Sequence, residues 1–351
     1  MPRIRDIIAR IVKLDAAAMQ AARERQSTLT KPLGSLGRLE DLSVQLAGIQ
    51  RRARPDVSSK AIFVMAGDHG CVAEGVSAYP QEVTPQMVLN FARGGAAINV
   101  LARHVGARVI VVDMGVAGDC ATANVIIRKI ARGTRNMAIG PAMSMDEARR
   151  CIETGVDIYE SELARGLDLA GTGDMGIGNT TPSAAIIAAF TGRSPAAVTG
   201  RGTGIDDARL MIKIGVIERA LAANKPDPTD AVDVLAKVGG FEIGGLAGVI
   251  IAAAAHHVPV IIDGVISSAA ALIATGLAPQ ARDYLIAGHL SVEPGHRAAL
   301  EHMKIEPILD LGMRLGEGTG GALAMSIADA AAKTLSEMAT FADAGVSEAL
   351  E

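Results

Sequence analysis

Apolar, β-branched runs that end in glycine alternate with stretches of helical periodicity along most of the chain. Five such runs stand at residues 61–70, 107–115, 167–176, 258–264 and 284–291. Because they are continuously apolar, we expect strands of a mostly parallel sheet that helices cover on both faces. Ligands of such sheets bind outside the carboxyl ends of the strands, where Gly, Asp, His and Ser residues stand in this sequence. The predicted fold is α/β, Rossmann-like and doubly wound.

The two ends of the chain follow a helical pattern instead. We predict that residues 1–55 and 300–351, which contain no predicted strand, associate as a smaller helical lobe. Residues 56–299 would then form the large α/β domain that carries the nucleotide site. Arg and Asp interrupt the apolar positions of residues 1–20, which favours an amphipathic helix over a signal peptide.

Capping chemistry predicts where two of the helices begin. Thr84-Pro85 and Thr181-Pro182 each combine a hydroxyl N-cap with a proline at the first helical position. The segment 223–230 (ANKPDPTD) is the most loop-like stretch and is expected to connect two helices.

Composition argues against nucleic-acid and membrane partners. Aromatic residues make up 2% of the chain, tryptophan is absent and the formal net charge is −4, so stacking platforms and a basic footprint are both missing. The most apolar run, residues 243–263, is interrupted by His256, His257 and Pro259, and its uninterrupted part is shorter than the roughly 20 apolar residues of a membrane span. We therefore predict no membrane segment.

The cysteines indicate a reducing compartment. Cys71, Cys120 and Cys151 are widely separated and form no CxxC pair. We interpret all three as buried structural thiols of a cytoplasmic protein.

Two glycine-rich loops are candidates for binding an anion. Residues 171–186 (GTGDMGIGNTTPSAAI) leave a strand and enter a helix, so backbone N–H groups and the helix dipole can hold a phosphate or carboxylate. The alternative is a tight turn that needs glycine for conformational reasons alone. The loop matches neither a Walker A motif nor a clean GxGxxG.

The second loop, residues 199–213 (TGRGTGIDDARLMIK), is similar. Arg201 could fork onto a phosphate, and Lys213 stands about two turns into the following helix. Alternatively, Asp206 and Asp207 complement the helix dipole themselves, and this helix start then needs no ligand. An adjacent Asp pair is also found in transferases that use phosphoribosyl pyrophosphate with magnesium, but there it follows a strand rather than a glycine loop.

Other polar residues offer weaker signals. The spacing of His289, Glu293 and His296 would suit a metal on a continuous helix, but Pro-Gly at 294–295 interrupts it, so we predict no metal site and treat His289 and Ser291 as polar groups at a strand end.

Asp68 and His69 are adjacent in sequence, which does not suit triad geometry, and no GxSxG nucleophile is present. We interpret them as site-wall or structural residues. An NAD-dependent oxidoreductase is one alternative for the chain, although the first turn reads AGDHGC rather than GxGxxG and Asp113 ends the following strand.

Glu317 stands between glycines in RLGEGTGGA (314–322), directly before an Ala-rich helical stretch. A carboxylate with so little steric cover is either a chemical group of a site or a cap for the helix that begins near Thr319.

Six ordered motifs carry a resemblance to one family. They are KPLGSLGRLE (31–40), the segment 66–103, GDMGIGNTT (173–181), GRGTG (200–204), GGFEIGGLAG (239–248) and RLGEGTGGALA (314–324). From about residue 30 to 340, the chain resembles the nicotinate-nucleotide-dimethylbenzimidazole phosphoribosyltransferases.

The resemblance implies transfer of 5-phosphoribosyl from β-nicotinate mononucleotide to 5,6-dimethylbenzimidazole, which gives α-ribazole 5′-phosphate and nicotinate for the lower ligand of cobalamin. A pyridinium leaving group recovers its own electron pair, so neither a metal nor another cofactor is expected. The attacking benzimidazole must lose a proton, and Glu317 matches the family's general base. A non-catalytic sensor of nucleotide or benzimidazole is a further alternative, and it would need no base.

The resemblance also implies binding residues and a homodimer. The nucleotide would contact Gly176, Gly178, Asn179, Thr180, Gly202, Gly204 and Ser291, with Lys213 in support. The benzimidazole would lie against Tyr79, Gln86, Met87, Met175 and Leu315. Asp174 replaces the family's usual Glu, so its carboxylate is set back by about 1.5 Å, one C–C step, in its helper role. The flexible Met175 leaves the accepted base open.

Overall fold

A computed structural model describes residues 2–347. The strands in this range form one seven-stranded sheet. The strands are β1 Lys60–Gly67, β2 Ala107–Gly115, β3 Ile126–Ile127, β4 Leu169–Met175, β5 Val260–Ile262, β6 Leu285–His289 and β7 Pro307–Leu309. Their order is β3-β2-β1-β4-β5-β6-β7, and every neighbouring pair is parallel. The direction of the strand order therefore changes between β1 and β4, which is where doubly wound sheets open a crevice for ligands.

Fifteen helices surround this sheet in the described part of the chain. They are α1 Pro2–Ile8, α2 Ala16–Thr28, α3 Arg38–Gln50, α4 Val83–Arg93, α5 Ala97–Val105, α6 Met145–Leu163, α7 Thr180–Thr191, α8 Pro195–Val198, α9 Asp207–Asn224, α10 Ala231–Val238, α11 Phe241–Ala255, α12 Val265–Leu277, α13 Pro294–Met303, α14 Thr319–Glu337 and α15 Phe341–Ala344.

Alternating side chains of the central strands supply two hydrophobic cores. On β1, Phe63 and Met65 point into a core with α6, α11 and α12, whereas Ile62 and Val64 point into a core with α5 and α14. All residues of β1 are buried, as expected for a strand with both faces covered. The predicted α/β class is confirmed.

The ends of the chain meet, but the prediction that they contain no strand is wrong. Residues 307–309 form β7, which extends the sheet beside β6. Helices α2, α3 and α14 pack through Ala22, Val44, Ala47 and Leu335. The contact between the two ends is therefore observed, while the division into a lobe of residues 1–55 plus 300–351 and a domain of 56–299 stays a prediction.

The predicted caps of two helices are also wrong. The helices begin before the Thr-Pro pairs, at Val83 for α4 and at Thr180 for α7, so both threonines lie inside the first turn. The hydroxyl of Thr84 instead accepts a hydrogen bond from the Ile177 N–H at 3.0 Å, which ties α4 to the loop after β4. The Thr84 hydroxyl thus accepts a hydrogen bond from a residue outside its helix, although the local sequence predicts that it caps the helix.

The most apolar run of the sequence forms a buried helix and a buried strand. Helix α11 is buried along its whole length and leads into β5. Among residues 2–347, no helix is long and apolar enough to cross a membrane. The three cysteines are free and buried, as predicted. Helices α9 and α10 flank the loop predicted at 223–230.

Candidate active site

A cavity of about 700 Å³ opens at the carboxyl ends of β4 and β6. Most of the predicted site residues line it, namely Tyr79, Met87, Asp174, Met175, Gly176, Asn179, Thr180, Gly202, Ser291, Leu315 and Glu317. Another cavity, of about 580 Å³, lies between α3 and the β6–β7 edge and contains none of them. Side chains from distant parts of the sequence therefore converge at the crevice that the strand order creates.

Glu317 is held in an uncommon backbone conformation. Its φ is +63°, and Gly316 and Gly318 on either side have φ values of +82° and +93°. Left-handed backbone is rare for residues other than glycine and persists where the surroundings enforce it. The flanking glycines are thus required by the turn and by its close approach to β4, because a Cβ on Gly318 would lie 3.1 Å from the Thr172 carbonyl oxygen.

The carboxylate of Glu317 is directed to the start of α5. Its Oε2 accepts a hydrogen bond from the Ile98 N–H at 3.2 Å, and the N-cap residue of α5, Ala96, makes no side-chain capping bond. Glu317 makes no capping bond to α14. The alternative interpretation of Glu317 as a cap for its own helix is therefore wrong.

The surroundings of Glu317 favour a basic carboxylate. The residue is 6% exposed, and this burial raises its pKa above the ordinary value. The Ile98 hydrogen bond opposes the shift, and the negative charge of Asp263 adds to it. A carboxylate with a raised pKa is a better proton acceptor near neutral pH.

Asp174 lies on the same wall as Glu317. Its Oδ2 accepts a hydrogen bond from the side-chain amide of Asn179 at 2.8 Å, while Oδ1 is buried without a partner. Burial first, and then the charge of Asp263, raises the pKa of Asp174 to about 8. The site therefore holds two carboxyl groups whose charged forms are both disfavoured.

Lys213 lies behind the loop that was predicted to bind phosphate. Its ammonium group donates to the Thr180 hydroxyl at 2.7 Å and to the Gly200 carbonyl at 3.1 Å, so it joins the two glycine-rich loops. Burial lowers the pKa of Lys213 to about 8, against the opposing effect of Glu293. Lys213 thus supports the cavity from outside its lining.

Acidic residues satisfy the start of α9 without a ligand. Asp206 is the N-cap and accepts a hydrogen bond from the Arg209 N–H at 2.8 Å. Arg201 pairs with Asp207 and donates to the Ile205 carbonyl at 3.0 Å. The alternative in which the Asp pair serves this helix start is the one observed.

Four predicted residues lie outside the cavity lining. Gly178 packs against Val72, Gly204 faces open space, Gln86 is exposed on α4, and Lys213 is the buried residue described above.

The strand end at β6 has a polar network. Glu293 accepts a hydrogen bond from the Gly202 N–H at 2.8 Å, and His296 bonds the Ser268 hydroxyl and the His289 carbonyl. Helix α13 begins at Pro294, so the residues from 289 to 296 do not share one helix. Within residues 2–347, no group of three or more His, Cys, Asp and Glu side chains could hold a metal ion.

Asp68 and His69 are buried and serve different partners. Asp68 accepts a hydrogen bond from the Ala117 N–H at 2.8 Å, and His69 Nε2 lies 2.8 Å from Glu242 Oε1. Burial alone would lower the pKa of His69, but the Glu242 carboxylate outweighs it and the pKa is raised. A Cβ added to Gly176, which lines the cavity, would lie 3.3 Å from His69 Nε2. His69 therefore packs directly behind this part of the cavity wall.

Sequence reasoning did not identify several residues that organise the site. Arg314 lines the cavity and donates to the Gly202 carbonyl at 3.1 Å, while Ile98 and Asp263 hold the turn around Glu317. The sequence does contain one usable signal: α5 follows GGA with no Ser, Thr, Asp or Asn at its N-cap, so its first N–H groups need a partner from elsewhere.

Comparison with known proteins identifies the family of this chain. A family model described as phosphoribosyltransferase matches residues 11–346. The nicotinate-nucleotide–dimethylbenzimidazole phosphoribosyltransferase of Desulforudis audaxviator is 62% identical over 99% of both chains, and that of Chloroflexus aggregans is 60% identical over 100% of both. A crystal structure of the enzyme so named from Thermus thermophilus superposes with a TM-score of 0.91, at 46% identity, over 96% of this chain and 100% of that one. The chain belongs to the nicotinate-nucleotide–dimethylbenzimidazole phosphoribosyltransferase family.

Proposed function

We propose that this chain transfers the 5-phosphoribosyl group of β-nicotinate mononucleotide to 5,6-dimethylbenzimidazole, giving α-ribazole 5′-phosphate and nicotinate in the synthesis of the cobalamin lower ligand. The observation that carries the proposal is the buried carboxylate of Glu317 at the wall of a 700 Å³ cavity bordered by two glycine-rich loops. The names of the relatives support neither the oxidoreductase nor the sensor alternative.

The reaction is a displacement at C1′ of the ribose. One ring nitrogen of the benzimidazole forms a bond to C1′ while the bond from C1′ to the nicotinate nitrogen breaks, and the pyridinium recovers that electron pair. The proton on the other benzimidazole nitrogen passes to the Glu317 carboxylate. Inversion from β to α requires the two bases on opposite sides of the ribose, so the cavity must fix the ribose between them.

Glu317 suits the role of general base because its backbone is fixed on both sides. The Ile98 N–H holds one carboxylate oxygen at 3.2 Å and leaves Oε1 for the substrate proton. We propose that Asp174, with its pKa of about 8, donates a hydrogen bond to a substrate atom or to Glu317 when it is protonated.

The glycine loops suit the phosphate and ribose. Gly176, Asn179, Thr180, Gly202 and Ser291 border the cavity. We propose that they bind the nucleotide together with Gly178 and Gly204, and that Lys213 orients the Thr180 hydroxyl from behind.

The apolar part of the wall suits the attacking base. Tyr79, Met87, Met175 and Leu315 line it, and Gln86 stands one residue from Met87 on α4. A mostly apolar slot with few polar groups is typical of sites for flat heteroaromatic ligands. We propose that these five residues select the base.

We further propose a cytoplasmic homodimer. Free buried thiols support a reducing compartment, and the family resemblance implies the dimer. Sedimentation equilibrium of the purified chain tests the dimer: a mass near twice 36.1 kDa is expected, and a single chain would contradict it.

A chromatographic assay tests the reaction itself. The protein is incubated with nicotinate mononucleotide and dimethylbenzimidazole in the presence of EDTA, and the anomer of the product is read by NMR. We expect α-ribazole 5′-phosphate without added metal. Binding of both ligands without product would support a sensor, tight binding of NADH in a near-UV titration would support an oxidoreductase, and a magnesium requirement would contradict the leaving-group argument.

A further inference from the structure

Asp263 is a fully buried carboxylate that the mechanism above does not use. It directly follows β5, has no exposed surface and is absent from the lining of the 700 Å³ cavity. Its Oδ1 accepts a hydrogen bond from the Gly321 N–H at 2.9 Å, and its Oδ2 accepts one from the Gly318 N–H at 3.3 Å. Helix α14 has no capping side chain of its own at Gly318, so Asp263 supplies the cap from another strand.

This cap acts on the peptide next to Glu317. The left-handed conformation of Glu317 needs outside support, since such backbone is costly for residues other than glycine. Asp263 holds the Gly318 N–H, and β4 backs the turn from below, because a Cβ on Gly173 would lie 2.3 Å from the Glu317 carbonyl oxygen. Glu317 is thus fixed by contacts that leave the cavity side of its carboxylate free.

His289 closes the cap from the cavity side. Its Nε2 lies 3.5 Å from Asp263 Oδ1, and a Cβ on Gly320 would lie 2.0 Å from its ring. The imidazole therefore packs against the first turn of α14, and His289 lines the cavity whereas Asp263 does not. The hydrogen bonds of Asp263 therefore act on the turn at Glu317 and on α14, while its charge acts on Glu317 and Asp174.

Several charged groups lie near Glu317, and Asp263 is one of those that affect its pKa. Asp174 on β4, Asp263 after β5, His289 on β6 and Arg314 on its own loop are the titratable groups nearby, together with the positive end of α5. After burial, Asp263 is the group that raises the pKa of Glu317. A negative charge that never meets substrate thereby makes the carboxylate at the cavity wall a stronger base.

We propose that Asp263 is a positioning residue for the transfer reaction: it caps α14 from outside the cavity and holds Glu317 in its left-handed turn. This inference rests on the proposed function. It assigns Asp263 no contact with either substrate.

The test compares Asp263→Asn with Asp113→Asn in the full chain. Asp113 is an equally buried Asp, on β2, that accepts a backbone hydrogen bond from the Val116 N–H at 2.8 Å and pairs with Lys129 at 2.8 Å rather than with α14. The measurements are kcat, KM for both substrates and kcat/KM against pH, with thermal unfolding of each variant. Titration of the free benzimidazole enters every profile equally, so differences between profiles belong to the protein.

We expect kcat of Asp263→Asn to fall about 10–100-fold, with both KM values within about threefold of wild type. Removing the negative charge lowers the pKa of Glu317, so the acid limb of the kcat/KM profile should move to lower pH. Asp113→Asn should lose stability and keep the wild-type limb. The proposal would be overturned if Asp263→Asn kept the wild-type kcat and the wild-type acid limb of kcat/KM, or if kcat fell equally in both variants.

If Asp263→Asn does not fold, Asp263→Glu decides the question. Glu keeps the charge but moves the cap, so the acid limb should stay in place while kcat falls; an unchanged kcat would overturn the positioning role. Wild-type protein that forms no product would contradict the proposed function itself, whereas active wild type with an unaffected Asp263 variant would contradict this inference alone.

Discussion

At the scale of single residues, Glu317 is subject to opposing effects. The Ile98 N–H and the positive end of α5 favour the charged carboxylate, while burial and the nearby Asp263 favour the neutral acid. Burial is the largest effect, and the pKa rises. The raised pKa makes this carboxylate a better proton acceptor when a benzimidazole occupies the cavity.

Asp174→Asn should stabilise the protein increasingly as the pH rises. The pKa of Asp174 is raised from 3.8 to about 8, so between these values the folded state binds the extra proton and wild-type stability falls with increasing pH. Asn cannot ionise and still accepts from the Asn179 amide. Relative to wild type, its free energy of unfolding should increase by at least about 1 kcal/mol between pH 5 and pH 8.

Urea unfolding at a series of pH values measures this difference. Asp119→Asn, at an exposed position, serves as the control and should show no such trend. A constant difference between Asp174→Asn and wild type across the pH range would show that Asp174 is ionised in the folded protein. The gain in stability should accompany a loss of activity, as is common when active-site groups are buried at a cost.

Individual residues of the site were predictable where a local motif marks them. Glu317 stands out because glycines surround it, and the two glycine-rich loops stand out for the same reason. Ile98, Asp263 and Arg314 do not, since each acts through contacts with partners far away in sequence. The partner of Glu317 is a backbone N–H, which almost every residue has, so the residue type at that position does not reveal the contact.

At the scale of elements, the contact between β4 and the turn before α14 determines where Glu317 lies. A Cβ on Gly173 would come within 2.3 Å of the Glu317 carbonyl oxygen, and one on Gly318 within 2.8 Å of the Ile62 side chain. The strand and the turn approach this closely because both lack side chains at the point of contact. The glycines thus serve packing between elements as well as the turn itself.

Gly173→Ala should reduce activity far more than stability. The added methyl group pushes the Glu317 turn away from β4, and a displacement of about 1 Å at a reacting group can cost about 10²-fold in rate. Overpacking should cost about 1–3 kcal/mol in unfolding free energy. Steady-state kinetics and urea unfolding measure the two effects.

Gly215→Ala on α9 is the matched control. Space for the methyl group is available there, and replacing a helical glycine should stabilise by about 0.5–1 kcal/mol without changing kcat. Wild-type kcat in Gly173→Ala would mean that the position of this turn does not limit the reaction.

The elements themselves were predictable to different degrees. The five long apolar runs became strands because a buried parallel strand leaves a continuous hydrophobic signature. Strands β3 and β7 lie at the two edges of the sheet and are not fully buried, so they leave no such signature and were missed. The Thr84-Pro85 helix start was misplaced because the Thr84 hydroxyl makes a tertiary hydrogen bond with the Ile177 N–H instead of a cap.

At the scale of the whole molecule, the strand order brings the site together. The two glycine-rich loops, the turn at Glu317 and the loop after β6 are far apart in sequence and meet at the carboxyl edge of one parallel sheet. The α/β class and the location of ligands at this edge follow from the periodicity of the sequence. The route by which residues after 300 return to the sheet, including β7, depends on long-range packing that periodicity does not encode.

The role of Glu317 as general base is tested most directly by the rate of phosphoribosyl transfer in a single turnover, measured for wild type and for Glu317→Gln. With enzyme in excess over nicotinate mononucleotide and saturating dimethylbenzimidazole, product release does not limit the signal. Glu82→Gln, at an exposed position on the N-terminal side of α4, serves as the control for a Glu-to-Gln change elsewhere.

We expect Glu317→Gln to bind both substrates with affinities within about threefold of wild type and to transfer the phosphoribosyl group about 10²–10⁴-fold more slowly, the usual effect of losing a general base. Glu82→Gln should match wild type. A Glu317→Gln variant that turns over within about threefold of wild type would contradict the assignment of Glu317 as the base that drives the reaction.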